Sequence, residues 1–251
     1  MSPPPLGLVD AGALLTHRRF AGDEAAVIAR AQQAGVAACI IPGTNETRSE
    51  RAAAVARRFG GVAYSTAGVH PHDTGLCDVH TMGRLRTLAM RPEVVAIGVC
   101  GLDYDRQYSA PEIQRQWFAA QLALAADLEL PVLLTENQAR ADFLAIVAEY
   151  RPHLKTAILA EYRDDPAAIE DYVALDLHLG VGTTRSDVLA HLMQHIPEDR
   201  LVVQTHAPLF GQAEPAALPA VVARVAQAGQ VDAGQLGRRT AANARMAYGL
   251  P

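Results

Sequence analysis

Eight short apolar runs, rich in β-branched residues, recur along the chain and alternate with segments whose apolar residues fall at helical spacing. The runs predict strands at 6–9, 36–41, 62–69, 94–97, 131–134, 156–159, 177–181 and 201–203. Helical spacing is clearest over 24–34, 113–128, 139–150 and 166–175. Strands that are apolar throughout and alternate with helices indicate parallel pairing, with both faces of the sheet covered.

Repetition of the β/α unit eight times predicts a closed (β/α)8 TIM barrel, because an open doubly wound sheet more often stops at about five or six strands. The doubly wound sheet is the alternative. No linker, composition shift or internal repeat divides the sequence, so we expect one domain over 1–251. The tail 216–251 is predicted to form two helices, separated at Gly234 and Gly237, that pack around or across the barrel.

The composition favours a cytoplasmic, soluble protein. Half of the 251 residues are apolar, but no run approaches the ~18 residues of a membrane span, and the start does not resemble a signal peptide. Cys39, Cys77 and Cys100 are an odd, widely spaced set, as expected for reduced thiols. The net charge of −5 provides no general basic field for a phosphate backbone, so we do not expect nucleic acid as a partner.

The polar motifs of the chain fall where the predicted strands end. In a TIM barrel this carboxyl end carries the active site, because the loops converge there on one pocket. The motifs are DAGAL at 10–14, GVHPH at 68–72, GLDY at 101–104, TEN at 135–137, AEY at 160–162, GTTR at 182–185 and QTHAP at 204–208.

Several of these motifs, together with QRQWF at 114–118 and the segment 240–245, resemble the TatD family of metal-dependent deoxyribonucleases. The resemblance extends nearly from end to end of the chain. It implies a TatD-like TIM barrel with a metal-dependent hydrolytic site at its mouth.

The sequence departs from the resemblance at the positions that should hold metal. The family pattern implies histidines at 12, 14, 135 and 160, a glutamate at 99 and an aspartate at 206. The residues found at these positions are Gly12, Leu14, Thr135, Ala160, Val99 and His206. Because a hard divalent ion needs several oxygen or nitrogen donors, we predict no family-type metal centre, no cofactor and no metal-dependent DNase activity.

Imidazole and carboxylate groups at the mouth are candidates for acid–base chemistry, for which a histidine within reach of a carboxylate is the minimum. We therefore predict His206, Glu136, Glu161 and His70 as catalytic residues. With no cation between them, the two glutamates are expected to raise each other's pKa.

Four further side chains are predicted to bind substrate. They are Asp10, His72, Asp103 and Arg185. Arg185 can hold a carboxylate or phosphate through two hydrogen bonds. For Asp10 and Asp103 the alternative is a structural role, in which the carboxylate accepts hydrogen bonds from loop amides.

Three functions remain open from the sequence. Our expectation is a metal-independent enzyme that acts on a small molecule in the barrel mouth, because a mouth without function would more often fill with apolar residues. The second possibility is a pseudoenzyme that binds a ligand or a protein partner. The third is a metal-dependent hydrolase whose ligands have moved to other residues, which would be His70, His72, Glu136, Glu161 and His206.

Overall fold

The computed structural model describes residues 7–163, 165–211 and 213–251, and its centre is a sheet of eight parallel strands. Each strand pairs with the next one in the sequence. The strands are β1 Leu8–Asp10, β2 Val36–Ile41, β3 Ala63–Ala67, β4 Val94–Asp103, β5 Val132–Asn137, β6 Ala157–Leu159, β7 Leu177–Val181 and β8 Leu201–Val203. This order confirms the predicted (β/α)8 barrel.

Helices follow the strands in sequence. The α-helices are α1 Glu24–Gln33, α2 Glu46–Arg58, α3 Thr81–Ala89, α4 Pro111–Asp127, α5 Arg140–Tyr150, α6 Ile169–Ala174, α7 Ser186–His195, α8 Leu218–Gly229 and α9 Ala233–Tyr248. Short 3-10 helices lie at Arg18–Phe20, Pro71–Leu76, Arg151–His153, Pro166–Ala168, Glu198–Arg200 and Pro215–Ala217. Within the described part of the chain, no helix is both long and apolar enough to cross a bilayer.

Two strands extend farther towards the mouth than the apolar runs predict. Strand β4 continues to Asp103 and β5 to Asn137, and these two residues pair with each other. Gly101 makes this pairing feasible: its φ is +143°, and a Cβ there would lie 1.9 Å from the carbonyl oxygen of Thr135. Asp103 and Glu136 are therefore held on strand ends, which fixes their positions better than a loop would.

The break between the two C-terminal helices lies earlier than predicted. Helix α8 ends before Gln230, which adopts a left-handed conformation, and Asp232 begins α9 by accepting a hydrogen bond from the backbone amide of Gln235. Gly234 and Gly237 lie inside the first turns of α9. Gly237 serves packing, because a Cβ there would lie 2.9 Å from a methyl carbon of Leu8.

The first and last strands meet without a continuous ladder among the described residues. Instead, the amide of Ala11 donates to the carbonyl of Val203 at 3.1 Å. Helix α9 covers this seam: Asn243 donates to the carbonyl of Leu201 at 2.9 Å, and the Tyr248 hydroxyl donates to the carbonyl of Ala11 at 3.4 Å. Helix α9 thus packs on the barrel where the sheet closes.

One buried histidine inside the barrel has no hydrogen-bond partner. His178 lies on β7 between Leu177 and Leu179, which face the outer core, so its own side chain points inwards. Both ring nitrogens are buried and unpartnered within the described residues. Burial lowers the pKa of this imidazole from 6.5 to about 4, so His178 is neutral at physiological pH.

Replacing His178 by leucine is expected to stabilise the fold. An unsatisfied buried polar group costs about 1–3 kcal/mol, and leucine has a similar volume. Protonation favours the unfolded chain, because the folded pKa is the lower one. The wild type should therefore lose stability as pH falls from 6.5 to about 4, and the variant should lack that part of the loss.

Urea unfolding across this pH range measures the effect. The control is His153→Leu, which changes an exposed histidine. A His178→Leu protein that is less stable than wild type at pH 7.5 would contradict the prediction.

Candidate functional site at the barrel mouth

A cleft of about 1370 Å³ opens at the carboxyl ends of the strands. Its lining includes most of the side chains predicted from the sequence. They are His70, His72, Asp103, Glu136, Glu161 and His206. The cleft is larger than the roughly 300–1,000 Å³ of most small-molecule pockets, so its size suits part of a polymer.

His206 and Glu161 form a buried hydrogen-bonded pair in this cleft. The Nε2 atom of His206 lies 2.8 Å from a carboxylate oxygen of Glu161, and the two side chains are 14% and 5% exposed. His206 has a φ of +54°, a left-handed conformation that is uncommon outside glycine. This conformation directs the side chain from the end of β8 towards the loop that follows β6.

Glu161 remains ionised, which corrects the expectation of a raised carboxyl pKa. Burial alone would raise its pKa, but hydrogen bonds from His206, the Thr184 hydroxyl and the Thr183 amide together lower it to about 2. The Gln204 amide adds a weak hydrogen bond at 3.4 Å. These partners could not be predicted from the sequence, because they come from the separate loops after β7 and β8.

Glu136 makes its hydrogen bonds to other parts of the chain than the His206–Glu161 pair. Its carboxylate accepts a hydrogen bond from the Ala139 amide at 2.7 Å, just before α5. It also accepts one from the Tyr172 hydroxyl at 3.1 Å. These bonds give Glu136 a positioning role for the β5–α5 loop, although its side chain also lines the cleft.

A second imidazole–carboxylate pair lies on the β3–β4 side of the mouth. His72 Nε2 is 2.7 Å from an oxygen of Asp103, and the other oxygen of Asp103 accepts from the amides of Asp105 and Arg106. These bonds lower the pKa of Asp103 despite its burial. Burial lowers the pKa of neighbouring His70 to about 4, so that ring is neutral.

Two predicted substrate-binding residues lie outside the cleft lining. Asp10 is fully buried and accepts hydrogen bonds from Thr205 and Gly12 at the seam between β1 and β8. Arg185 is exposed, and its guanidinium contacts the carboxylate of Asp187 at 2.6 and 3.1 Å. The structure thus assigns both residues to contacts within the protein.

Sequence reasoning missed the rim of the cleft. Five arginines line it, and all are exposed: Arg18, Arg48, Arg51, Arg106 and Arg163. In the described chain, Arg18, Arg51 and Arg106 form no ion pair. Two exposed aromatic side chains, Tyr108 at 67% and Phe210 at 57%, also line the cleft. In the sequence, Tyr108 and Phe210 are distinguished only by lying in loops that follow predicted strands.

The donors in the cleft do not fit the metal centre that the resemblance implies. Gly12, Val99 and Ala160 carry no donor atom, and a Cβ at Gly12 would lie 2.5 Å from the amide oxygen of Gln204. Across the described residues, no three His, Cys, Asp or Glu side chains come together as a metal site. The alternative set of ligands is therefore not assembled as a metal site among the described residues either; it comprised His70, His72, Glu136, Glu161 and His206.

Comparisons with known proteins agree closely over the whole chain. The family model for TatD related DNase matches residues 9–249. A 3'-5' ssDNA/RNA exonuclease TatD from Erwinia tasmaniensis is 40% identical over 97% of this chain and 100% of its own length. The protein of the same name from Erwinia amylovora is 39% identical with the same coverage. The crystal structure of the TatD homologue YjjV from Escherichia coli K12 superposes with a TM-score of 0.88 at 25% identity, covering 99% and 100% of the two chains.

These relatives overturn two expectations from the sequence. The departure at the metal positions led us to expect a protein that is no DNase and acts on a small molecule, whereas the chain is similar over its full length to named nucleases. The net charge led us to expect no nucleic-acid partner, whereas the same relatives are named for ssDNA and RNA. The wrong expectations about the substrate and about the nucleic-acid partner have one cause. They were drawn from the metal positions and the net charge, and neither gives information on the side chains at the rim of the cleft.

Proposed function

The chain belongs to the TatD-related DNase family, and we propose that it binds and hydrolyses single-stranded nucleic acid in the cleft at the barrel mouth. The observation that carries the proposal is the combination of an exposed arginine rim with a buried histidine–glutamate pair in the same cleft. Arginine binds phosphate through two parallel hydrogen bonds. The sugar–phosphate backbone of a strand that follows the rim therefore passes next to the acid–base pair.

The substrate class follows from the shape and charge of the mouth. Proteins that bind single strands combine a positively charged groove with aromatic side chains on which unpaired bases stack. Arg18, Arg51 and Arg106 are available for phosphates, and Tyr108 and Phe210 present rings in the same cleft. Five carboxylates also line the cleft. Asp103 and Glu161 are each bonded to a histidine and Asp73 contacts Arg48. Asp105 and Glu136 accept hydrogen bonds from neutral groups. These partners offset part of the repulsion between the carboxylates and phosphate.

The His206–Glu161 pair supplies the general base in this proposal. Ionised Glu161 fixes a proton on Nε2 of His206, which leaves Nδ1 as the basic nitrogen. Nδ1 takes a proton from the attacking water as the water oxygen bonds to phosphorus. The bond from phosphorus to the leaving oxygen then breaks on the opposite side of phosphorus, and that oxygen takes its proton from solvent. The imidazolium releases its proton to solvent. Glu161 stabilises the transient imidazolium, as a carboxylate does in other histidine-based catalysts.

An exonuclease assay tests the proposal directly. We expect the protein to shorten 12-nucleotide single strands of DNA or RNA that carry a 5' fluorescein, and to leave the matching duplex largely intact. The assay is run in Mg²⁺ and, in parallel, in EDTA, because the described residues assemble no three-ligand metal site. Shortening in either buffer supports the proposal. Intact single strands in both buffers would overturn it.

A further inference from the structure

We infer that Phe210 and Tyr108 are two base-stacking stations on opposite sides of the mouth, between which a single strand crosses the cleft. This inference rests on the proposed function and adds the places where the bases are held. Its starting observation is that two large aromatic side chains are exposed at the cleft, although burial of such surface is normally favourable.

The barrel topology places the two rings across from each other. Tyr108 lies on the loop after β4, and Phe210 lies on the loop after β8. In a barrel whose eight strands follow sequence order, β4 and β8 are four places apart, which is half of the circumference. A strand of nucleic acid that contacts both rings must therefore cross the cleft.

The Phe210 station adjoins the acid–base pair. The centroid of the Phe210 ring is 5.8 Å from that of His206, and the Arg163 guanidinium lies 4.6 Å over the same ring. A base on the other face of Phe210 is thus held beside His206, while Arg163 offers positive charge to the adjoining phosphate. We assign this station to the nucleotide next to the bond that is cleaved.

The Tyr108 station adjoins the second histidine pair. Its ring meets the ring of His72 edge to face at 4.8 Å, and His72 is in turn held by Asp103 at 2.7 Å. The exposed guanidinium of Arg106 belongs to the same loop. This station therefore has a fixed aromatic ring and a nearby positive charge, and it is assigned to a base farther along the strand.

Substrate length separates the two stations in an experiment. Binding is measured by fluorescence anisotropy for a 5'-fluorescein 12-mer and for a dinucleotide with the same label. Both ligands have phosphorothioate linkages, which keep the phosphate charge and resist hydrolysis during the measurement. Loss of one stacking contact weakens binding about tenfold. Phe210→Ala should weaken binding of both ligands by about this factor. Tyr108→Ala should weaken binding of the 12-mer only, because a dinucleotide held at Phe210 does not reach across the mouth.

A fluorescent base reports stacking itself. With 2-aminopurine as the 3'-terminal base of the 12-mer, wild-type protein should quench the emission. Phe210→Ala should abolish the quenching, and Tyr108→Ala should retain it at saturating protein. Arg163→Ala should reduce the dependence of log Kd on log salt by about one unit, since one phosphate contact is lost.

Matched controls lie at the opposite end of the barrel. Met90→Ala removes an equally exposed apolar side chain that precedes β4, and Arg57→Ala removes an exposed arginine from the last turn of α2. Both should bind like wild type. If wild type binds neither ligand, the proposed function fails. If wild type binds and both Phe210→Ala and Tyr108→Ala match its affinity and quenching, the stacking inference fails and the proposed function stands.

Discussion

Substitution of His206 by asparagine is expected to lower the turnover of single-stranded oligonucleotides about 10²- to 10⁴-fold, the usual range for loss of a general base. Asparagine is chosen because it tolerates the left-handed backbone of this position, where φ is +54°. Its amide cannot accept the proton of the attacking water. Affinity for the 12-mer should change little, because the arginine rim and both aromatic rings are retained.

The measurement is the initial rate at which the strand is shortened at saturating substrate, with affinity measured separately by anisotropy. His80→Asn is the matched control, because His80 is exposed and does not line the cleft. This control should retain the wild-type rate. A His206→Asn protein that retains the wild-type rate would remove His206 from the chemistry.

Glu161 allows a second variant that separates catalysis from folding. Without His206, the buried carboxylate of Glu161 loses the hydrogen bond from Nε2, and loss of a buried hydrogen bond to a charged group costs about 1.5–3 kcal/mol. The double variant Glu161→Gln, His206→Asn also removes the buried carboxylate charge. It should melt at a higher temperature than His206→Asn alone and be equally inactive. If the double variant is more stable but still inactive, the loss of turnover is caused by the missing base and not by partial unfolding.

The fold was predictable because its signals are local and repeated. Each apolar strand is followed by a segment of helical period, and this pattern needs no knowledge of tertiary contacts. The predictions failed where tertiary contacts decide the outcome. Strand β4 extends to Asp103 because Asn137 pairs with it. The start of α9 was missed for a different reason, because Asp232 caps the helix through a local hydrogen bond from the Gln235 amide.

The candidate site was predictable as a set of residues but not as pairs. His206 and Glu161 were both identified from their positions after strands. Their hydrogen bond depends on the left-handed backbone at His206, and Glu161 is also held by hydrogen bonds from Thr183 and Thr184. These features involve loops after three different strands, so spacing along the sequence cannot reveal them.

The substrate class was predicted wrongly because a net charge averages over the whole surface. The net charge of −5 does not show that three exposed arginines at one cleft, Arg18, Arg51 and Arg106, form no ion pair in the described chain, although five carboxylates also line that cleft. An arginine without a partner can hold a phosphate group whatever the net charge of the whole surface. The missing metal donors also led to a wrong expectation about the substrate. The residues that hold an ion are different from those that bind bases and phosphates, so losing the first set says little about the second.

Substitution of Asp10 by alanine is expected to destabilise the protein by about 2–6 kcal/mol, since two buried amides would each lose an acceptor at about 1–3 kcal/mol. The carboxylate accepts from the Thr205 amide at 2.9 Å, the Thr205 hydroxyl at 2.6 Å and the Gly12 amide at 3.2 Å. These bonds join the end of β1 to the segment after β8, where no ladder closes the described sheet. Urea unfolding with linear extrapolation measures the loss.

Asparagine at position 10 is the matched control and also provides a test of ionisation. It keeps an acceptor for both amides, so Asp10→Asn should lose far less stability than Asp10→Ala. Burial raises the pKa of Asp10 from 3.8 to about 6, which means that the folded protein binds this proton more tightly than the unfolded chain. The stability of wild type relative to Asp10→Asn should therefore be greatest below pH 3.8, decrease as pH rises to about 6 and stay constant above it. Equal losses for the alanine and asparagine variants, with a flat difference across this range, would contradict the assignment of Asp10 as the acceptor that closes the barrel.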